Sequence, residues 1–229
     1  MSELGALSVI FDLDGTLVDS EPNYYEAGRR LLAQYGVTGF GWERHTDFIG
    51  ISTRETLGTL REEYGIDAPL AELLAGKNRH YLELARTGTE VFPQMRAFVE
   101  LLHSDGVAMA VASGSSRAAI DAVLDGTGLG AFIPTVVSAD EVPRGKPAPD
   151  VFLEAARRLG AAPADCVVLE DAAPGVAAAR AAGMRCVAVP YIAATAVDPV
   201  FASADLLYAG GQRDFRARAA YDWLRSLKP

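Results

Sequence analysis

Two carboxylates near the start of the chain stand at a spacing that suits catalysis or metal binding. Asp12 and Asp14 are two positions apart, directly after an apolar run, and Gly15 and Thr16 follow them. Such a pair can ligate a divalent cation, or it can divide the work of a nucleophile and an acid/base catalyst. An aspartate that only caps the turn at a strand end gives the same pattern, so the pair alone fits either interpretation.

Three further segments carry groups that suit phosphate and metal chemistry. Ser113 and Gly114 combine a hydroxyl with backbone amides at an expected helix start, which is typical of an anion site or of an ordinary helix cap. Lys146 is one of three lysines and is followed by prolines that stiffen the turn, so it is a fixed cation or a solvated loop residue. Glu170 and Asp171 are adjacent acids that could complete an oxygen-ligated Mg²⁺ site or cap the next helix.

Apolar, β-branched runs alternate with helical spacings along most of the chain. The predicted strands are 7–11, 107–112, 135–138, 166–169, 186–189 and an edge strand at 205–208. The predicted helices between and after them are 95–104, 116–124, 149–159, 176–182 and 215–227. This alternation predicts an α/β fold with a Rossmann-like parallel sheet, whose strand carboxyl ends bind ligands. One metal site facing one phosphate site at that edge explains all four polar segments together.

The stretch after the first strand has a different pattern. It shows helical spacing from Ser20 to about Gly36, over 53–64 and over 70–85, and no convincing strand up to Arg86. We therefore predict a small all-helical domain, 18–87, inserted into an α/β core domain of 1–17 and 88–229.

Composition limits the classes of partner. The 229 residues are 50% hydrophobic and 22% charged, with a net charge of −9, so the surface repels nucleic acid and anionic lipid. A small phosphorylated metabolite remains possible because a local cation can reverse the field in one cleft. No membrane-spanning run or signal peptide is evident, and Cys166 and Cys186 lie in apolar runs as reduced core residues, so we expect a cytoplasmic protein, a monomer or weak dimer.

The four polar segments together resemble the motifs of the haloacid dehalogenase superfamily, in the same order and with the same spacing. The stretch 11–20 is similar to the first motif, Ser113 to the second, Lys146 to the third, and Glu170 with Asp171 to the fourth. The stretch 175–184 also follows the family's pattern. The helical insert is similar to the cap of the branch that contains β-phosphoglucomutase and small-metabolite phosphatases.

The resemblance implies phosphoryl transfer in two steps through an aspartyl-phosphate. Asp12 would attack phosphorus, while Asp14 would protonate the leaving alcohol and then deprotonate the attacking water. Mg²⁺ would be held by the Asp12 carboxylate, the Asp14 carbonyl and Asp171, with Glu170 as a further ligand or as a group that positions the site. Three groups would neutralise the phosphoryl oxygens: the Ser113 hydroxyl, the Gly114 amide and the Lys146 ammonium.

The resemblance also implies that the cap selects the substrate and excludes water when it closes. Gly50 and Arg54 lie in a segment similar to the family's specificity loop. Arg54 is either a ligand of a hydroxyl or second anion, or a solvated helix residue. Arg117, one helical turn after the second motif, is a candidate ligand or a surface arginine, and Tyr24 is a weaker candidate.

Within the superfamily, the residues favour a Mg²⁺-dependent phosphatase of a sugar or polyol phosphate. Tyr24 stands where β-phosphoglucomutases carry a histidine, and Thr16 where they tend to carry valine, and both departures point toward a hydrolase. A sugar-phosphate mutase is the alternative. Asp14 disfavours a classical dehalogenase, which lacks an acid there. Lys77, the only lysine of the insert, lies beside Asn78 in a polar stretch, which disfavours a phosphonatase. A non-catalytic sensor would show degenerate motifs, whereas all four are intact.

Overall fold

The computed structural model describes residue 5, residues 7–49 and residues 51–227. The chain divides into two compact units, Met1–Asp19 with Glu90–Pro229 and Ser20–Thr89. The predicted domain limits fall two residues before these junctions, and the role of the smaller unit as a substrate-selecting cap stays a prediction.

The strands and helices of the described residues follow the predicted alternation. The strands are β1 (Ser8–Phe11), β2 (Val18–Asp19), β3 (Glu90–Val91), β4 (Ala108–Ser113), β5 (Thr135–Ser138), β6 (Cys166–Glu170), β7 (Arg185–Ala188) and β8 (Leu206–Leu207). The helices are α1 (Glu21–Gln34), α2 (Trp42–Thr46), α3 (Thr53–Glu63), α4 (Leu70–Gly88), α5 (Pro93–Ser104), α6 (Arg117–Thr127), α7 (Asp150–Leu159), α8 (Ala173–Ala181) and α9 (Ala217–Ser226).

The main sheet of the larger unit is parallel throughout, which confirms the predicted fold class. Its spatial order is β5-β4-β1-β6-β7-β8, so β1 lies between β4 and β6. Phe11 at the end of β1 is in register with Val111 and Leu169 on the two neighbours. The apolar residues of β1 are buried because both faces of a parallel sheet are covered. The carboxyl ends of β1, β4 and β6 therefore lie side by side.

The smaller unit is helical, with its own apolar core. Its buried residues are Leu31, Leu32, Phe40, Phe48, Leu57, Leu60, Ile66 and Leu73. Gly76 permits close packing between α1 and α4, because a Cβ there would lie 2.7 Å from Leu31 Cδ1. Periodicity missed α2, a helix of one turn that is too short to show a repeat.

The prediction of no strand between Val18 and Arg86 was wrong at its first residues. β2 pairs in antiparallel fashion with β3, with Val18 opposite Val91 and Asp19 opposite Glu90. A strand of two residues carries no recognisable alternation, and its partner strand comes about 70 residues later in the sequence, after the inserted segment. This pairing lies where the chain leaves and re-enters the larger unit.

The two cysteines are buried free thiols, as predicted, and burial raises the pKa of Cys166 to about 11. Across the described ranges, the structure contains no helix with the length and apolar character needed to span a bilayer.

Candidate active site

A buried lysine joins two of the predicted acids at the carboxyl edge of the sheet. Asp12 follows β1, where its amide donates to the Leu169 carbonyl at 3.0 Å. Lys146 Nζ lies 2.5 Å from Asp12 Oδ1 and 2.6 Å from Glu170 Oε1. Burial alone would lower the pKa of Lys146, but the two carboxylates outweigh burial and raise it. The lysine is therefore a charged bridge between β1 and β6.

Glu170 is held on both of its oxygens. Oε1 accepts from Lys146, and Oε2 accepts from the amides of Asp171 and Ala172 at 3.0 and 3.1 Å. A Cβ on Gly175 would lie only 1.8 Å from Glu170 Oε1, so a glycine is needed for α8 to approach this carboxylate. Of the two interpretations of Glu170, these contacts support a residue that positions the site.

The turn after β1 packs against the other acid of the fourth segment. Thr16 Oγ1 donates to Asp171 Oδ1 at 3.0 Å. Gly15 has a φ of 80°, and a Cβ on it would lie 2.4 Å from Asp171 Oδ2. Both the backbone conformation and the close approach require glycine here. The sequence reasoning used Thr16 only to separate the family's branches and missed its contact with Asp171.

The acids form a cluster whose chemistry fits a divalent cation. Asp12, Glu170 and Asp171 each place a carboxylate oxygen within 4.8 Å of the others. Burial raises the pKa of Asp12 to about 8; Lys146 opposes this shift, while Glu170 and Asp14 add to it. Burial and the charges of Glu170 and Asp12 also raise the pKa of Asp171. One lysine does not balance two buried carboxylates and the half-buried Asp171, and a hard cation would supply the missing charge.

The carboxylate of Asp14 faces hydroxyl groups at the end of β4. Ser115 Oγ donates to Asp14 Oδ2 at 2.6 Å, and Ser113 Oγ donates to the same oxygen at 3.3 Å. The Ser115 amide donates to Ser113 Oγ at 3.0 Å. Gly114 between them is exposed, with open space around its Cα. The sequence analysis did not predict Ser115 as a partner of Asp14.

The two arginines that the sequence suggests as substrate ligands, Arg54 and Arg117, have exposed side chains. Arg117 is exposed, and its guanidinium donates to Asp121 at 2.8 Å and Glu141 at 3.3 Å, which supports the surface-arginine interpretation. Arg54 is exposed in the first turn of α3. Gly50 lies outside the described residues. Their roles as substrate ligands stay predictions.

Tyr24 and Lys77 belong to a buried cluster of the smaller unit. The Tyr24 ring stacks on Tyr81 with centroids 4.2 Å apart, and Lys77 Nζ lies 5.4 Å from the Tyr24 ring centroid. Burial lowers the pKa of Lys77 to about 8, although the charge of Glu21 opposes the shift. Lys77 lies in a polar stretch of the sequence, but its side chain is buried while the neighbouring Asn78 is exposed. The rarity of lysine, which singled out Lys146, applies equally to Lys77.

The comparisons with known proteins agree with this site. The chain is 36% identical over 181 residues to the fructose-1-phosphate phosphatase of Escherichia coli, covering 79% of this chain and 95% of the relative. It is also 36% identical over 186 residues to a bifunctional riboflavin kinase/FMN phosphatase of Arabidopsis thaliana, covering 80% of this chain but only 48% of that longer protein.

A solved structure supports the same relationship. A crystal structure described as a candidate beta-phosphoglucomutase from Thermotoga maritima superimposes with a TM-score of 0.78 at 27% identity, covering 97% of this chain and 100% of the other. Residues 9–189 match the family model of haloacid dehalogenase-like hydrolases, a range that holds all four segments of the site. The chain thus belongs to the haloacid dehalogenase-like hydrolases.

Proposed function

We propose that this protein is a Mg²⁺-dependent phosphatase that hydrolyses small phosphorylated metabolites, of the sugar or polyol phosphate class. The observation that carries the proposal is the Asp12 carboxylate, fixed by Lys146 and flanked by Asp14 and Asp171 at the carboxyl edge of a parallel sheet. The phosphatase names of two relatives support the reaction class, and the fructose 1-phosphate named for one of them supports a sugar phosphate.

In the first step, an oxygen of Asp12 attacks phosphorus and the bond from phosphorus to the alcohol oxygen breaks. Asp14 donates a proton to the departing oxygen. The Ser115 and Ser113 hydroxyls orient the Asp14 carboxylate and can follow its change of charge. The products of this step are a free alcohol and an aspartyl-phosphate on Asp12.

In the second step, water attacks phosphorus, Asp14 takes its proton, and the bond between phosphorus and Asp12 breaks. Inorganic phosphate leaves, Asp12 returns to the carboxylate form and Asp14 returns to the protonated acid. Lys146, the Ser113 hydroxyl and the Gly114 amide supply positive charge and donors for the phosphoryl oxygens, which is the main requirement of this chemistry.

Asp12 and Asp171 would hold Mg²⁺ with the Asp14 carbonyl, while Glu170 keeps Lys146 in place. The cation would supply positive charge for the phosphoryl oxygens and relieve the repulsion among the carboxylates.

A sugar-phosphate mutase on the same scaffold is the second candidate, and the structural likeness to the Thermotoga maritima protein is the observation that favours it. A mutase would return the phosphoryl group to a second sugar hydroxyl, so it would depend on a bisphosphate activator and release no stoichiometric phosphate. Tyr24 in place of a histidine favours the hydrolase.

The test is phosphate release with Mg²⁺ from sugar, polyol and nucleotide phosphates, including fructose 1-phosphate and FMN. Asp12→Asn is the inactive variant, and Asp125→Asn, at an exposed position on α6, is the matched control. We expect turnover by the wild type and the control only. Full activity of Asp12→Asn would refute the mechanism, and isomerised sugar phosphate without released phosphate would establish the mutase.

The compartment and assembly remain part of this proposal. Two free buried thiols support a reducing cytoplasm, and we expect a monomer or weak dimer that size-exclusion chromatography would detect.

A further inference from the structure

A side chain from the C-terminal part of the larger unit contacts the turn of the first motif. The Gln212 amide nitrogen, Nε2, lies 3.0 Å from the Thr16 carbonyl oxygen and 3.4 Å from the Gly15 carbonyl oxygen. Gln212 lies in a one-turn 3₁₀ helix, Gly211–Arg213, far from the motif in sequence. Its two amide hydrogens can serve both carbonyls.

The turn's internal hydrogen bonds use neither of these two carbonyls. The Gly15 amide donates to the Val18 carbonyl, and the amides of Leu17 and Val18 donate to the Leu13 carbonyl. Buried backbone carbonyls need donors, and Gln212 supplies a donor to both the Gly15 and the Thr16 carbonyl. The conformation of the turn thus depends partly on a residue outside every motif.

The position of Gln212 is itself fixed. Gly211 has a φ of 64°, and a Cβ there would lie 2.3 Å from the Pro190 carbonyl oxygen, at the end of the sheet. The Gly210 amide donates to Asp214 Oδ2 at 2.9 Å, and a Cβ on Gly210 would collide with that carboxylate. Gly211 cannot be replaced without moving this turn, because its Cβ would meet backbone, so Gln212 is held in register with the motif.

The orientation of the Gln212 amide also indicates that its donor end matters. Its Oε1 is buried without a hydrogen-bond partner among the residues that the structure describes. Exchanging the amide's oxygen and nitrogen would place the oxygen against two carbonyl oxygens. A buried, unpaired acceptor carries a free-energy cost that an apolar side chain would avoid. The cost is consistent with a need for the two donated hydrogen bonds.

The turn that Gln212 holds is the one that contacts Asp171. Thr16 donates to one Asp171 oxygen, and Gly15 lies against the other. We propose that Gln212 is a positioning residue of the metal site, which holds the Gly15–Thr16 turn and thereby fixes Asp171 and the neighbouring Asp14 backbone for a divalent cation. This inference rests on the proposed function for the cation itself, but it assigns a role to a residue that no motif contains.

The experiment compares Gln212→Met and Gln212→Glu with the same substitutions at Gln94. Methionine keeps the length of the side chain and removes the donors, while glutamate keeps its shape and repels both carbonyls. Gln94 Oε1 accepts from the Ala217 amide at 3.1 Å in the same unit, so Gln94→Met loses a structural hydrogen bond elsewhere, and Gln94→Glu matches the change of charge.

Two readouts are needed, with thermal melting to confirm folding. One is Mn²⁺ binding to the substrate-free protein by electron paramagnetic resonance, and the other is the Mg²⁺ concentration that gives half-maximal phosphate release. In Gln212→Met we expect the dissociation constant for Mn²⁺ and the half-maximal Mg²⁺ concentration each to rise about tenfold, as for other residues that support metal ligands. The value of kcat at saturating Mg²⁺ should change less. The Gln94 variants should keep the wild-type values.

Unchanged Mn²⁺ affinity in both folded Gln212 variants would overturn the inference, as would an equal loss in the Gln94 variants. If the wild type binds Mn²⁺ and Gln212→Met weakens it, the inference stands even where no phosphate is released. Absence of phosphate release from the wild type would refute the proposed function but not the role of Gln212.

Discussion

Two buried lysines, one in each unit, differ in how their charge is balanced. Lys146 lies between the carboxylates of Asp12 and Glu170 at ion-pair distance. Lys77 is also buried, but within the described residues it makes no ion pair, and the Tyr24 ring is the partner that the structure shows. The charged form is stabilised at the first position and destabilised at the second, as the opposite directions of the two pKa shifts indicate.

Lys146 is a buried cation with two carboxylate partners, whereas Lys77 is a buried cation without an ion pair among the described residues. Burial of an ammonium without an ion pair costs free energy, and the charge of Glu21 offsets only part of that cost at Lys77. At Lys146 the protein supplies two anions of its own, and the surplus of carboxylates there suits the proposed cation.

The largest expected effect is on catalysis. Asp12→Asn keeps the size of the side chain but removes the proposed nucleophile and one negative charge beside Lys146. We expect phosphate release to fall by about 1,000-fold or more. Steady-state assays with Asp125→Asn as the control measure this effect. A residual rate within tenfold of the wild type would show that Asp12 is not the nucleophile.

The next largest effect comes from breaking the balanced site. Lys146→Met leaves Asp12 and Glu170 without their cation, and removal of one partner from a buried ion pair costs about 4 kcal/mol of unfolding free energy. Urea denaturation at pH 7 measures the loss.

Arg144→Met is the matched control for Lys146→Met, since Arg144 lies in the same loop but pairs with Asp150 at the surface. It should change stability by less than about 1 kcal/mol. Equal losses in the two variants would remove the distinction between a buried bridge and a surface pair.

Replacing Lys77, which has no ion pair among the described residues, should change the unfolding free energy in the opposite direction from replacing Lys146. The pKa of Lys77 is lowered from 10.5 to about 8, so below pH 8 the folded state carries a charge that burial disfavours. Lys77→Met should therefore stabilise the protein by about 3 kcal/mol at pH 7. Between pH 8 and 10.5 the unfolded wild type binds more protons than the folded state, so wild-type stability rises and the advantage of the variant disappears.

Denaturation of Lys77→Met and wild type at pH 7 and pH 10.5 checks this sign, with the exposed Arg79→Met on the same helix as control. A destabilised Lys77→Met at pH 7 would show that an unrecognised partner balances this charge.

The smallest expected effect comes from displacing Glu170 without removing any charge. A methyl group in Gly175→Ala would overlap Glu170 Oε1, so the carboxylate must shift away from Lys146, at a cost of about 2 kcal/mol. Gly58→Ala on α3 has open space and should stabilise its helix by up to about 1 kcal/mol. Thermal melting of both variants measures these changes. A higher melting temperature in Gly175→Ala would contradict the predicted displacement of Glu170.

The sequence predicted the features that depend on local pattern. Apolar runs marked the parallel strands, and polar residues at their ends marked Asp12, Lys146 and Glu170 as neighbours, because strand ends in a parallel sheet converge. Three of the four motifs lie at the end of a strand or directly after it: Asp12 follows β1, Ser113 ends β4 and Glu170 ends β6.

What the sequence did not predict depends on contacts between distant segments. Gln212 lies in a turn without a strand or motif to announce its contact with Thr16. The burial of Lys77 follows from which face of α4 packs inward, and one polar neighbour obscured that face. The β2–β3 pair joins Val18 and Val91, which flank the inserted segment in the sequence, and no local periodicity reveals such a pairing.

The most direct test of the central claim, phosphoryl transfer through Asp12, is a rapid acid quench with an aryl phosphate labelled in its phosphoryl group. An aryl leaving group needs little protonation, so Asp14→Asn should still be phosphorylated but should hydrolyse slowly. We predict a burst of the phenol and label on the peptide that contains Asp12, with more label in Asp14→Asn than in the wild type. A burst without label on the protein, or label on another residue, would contradict the account.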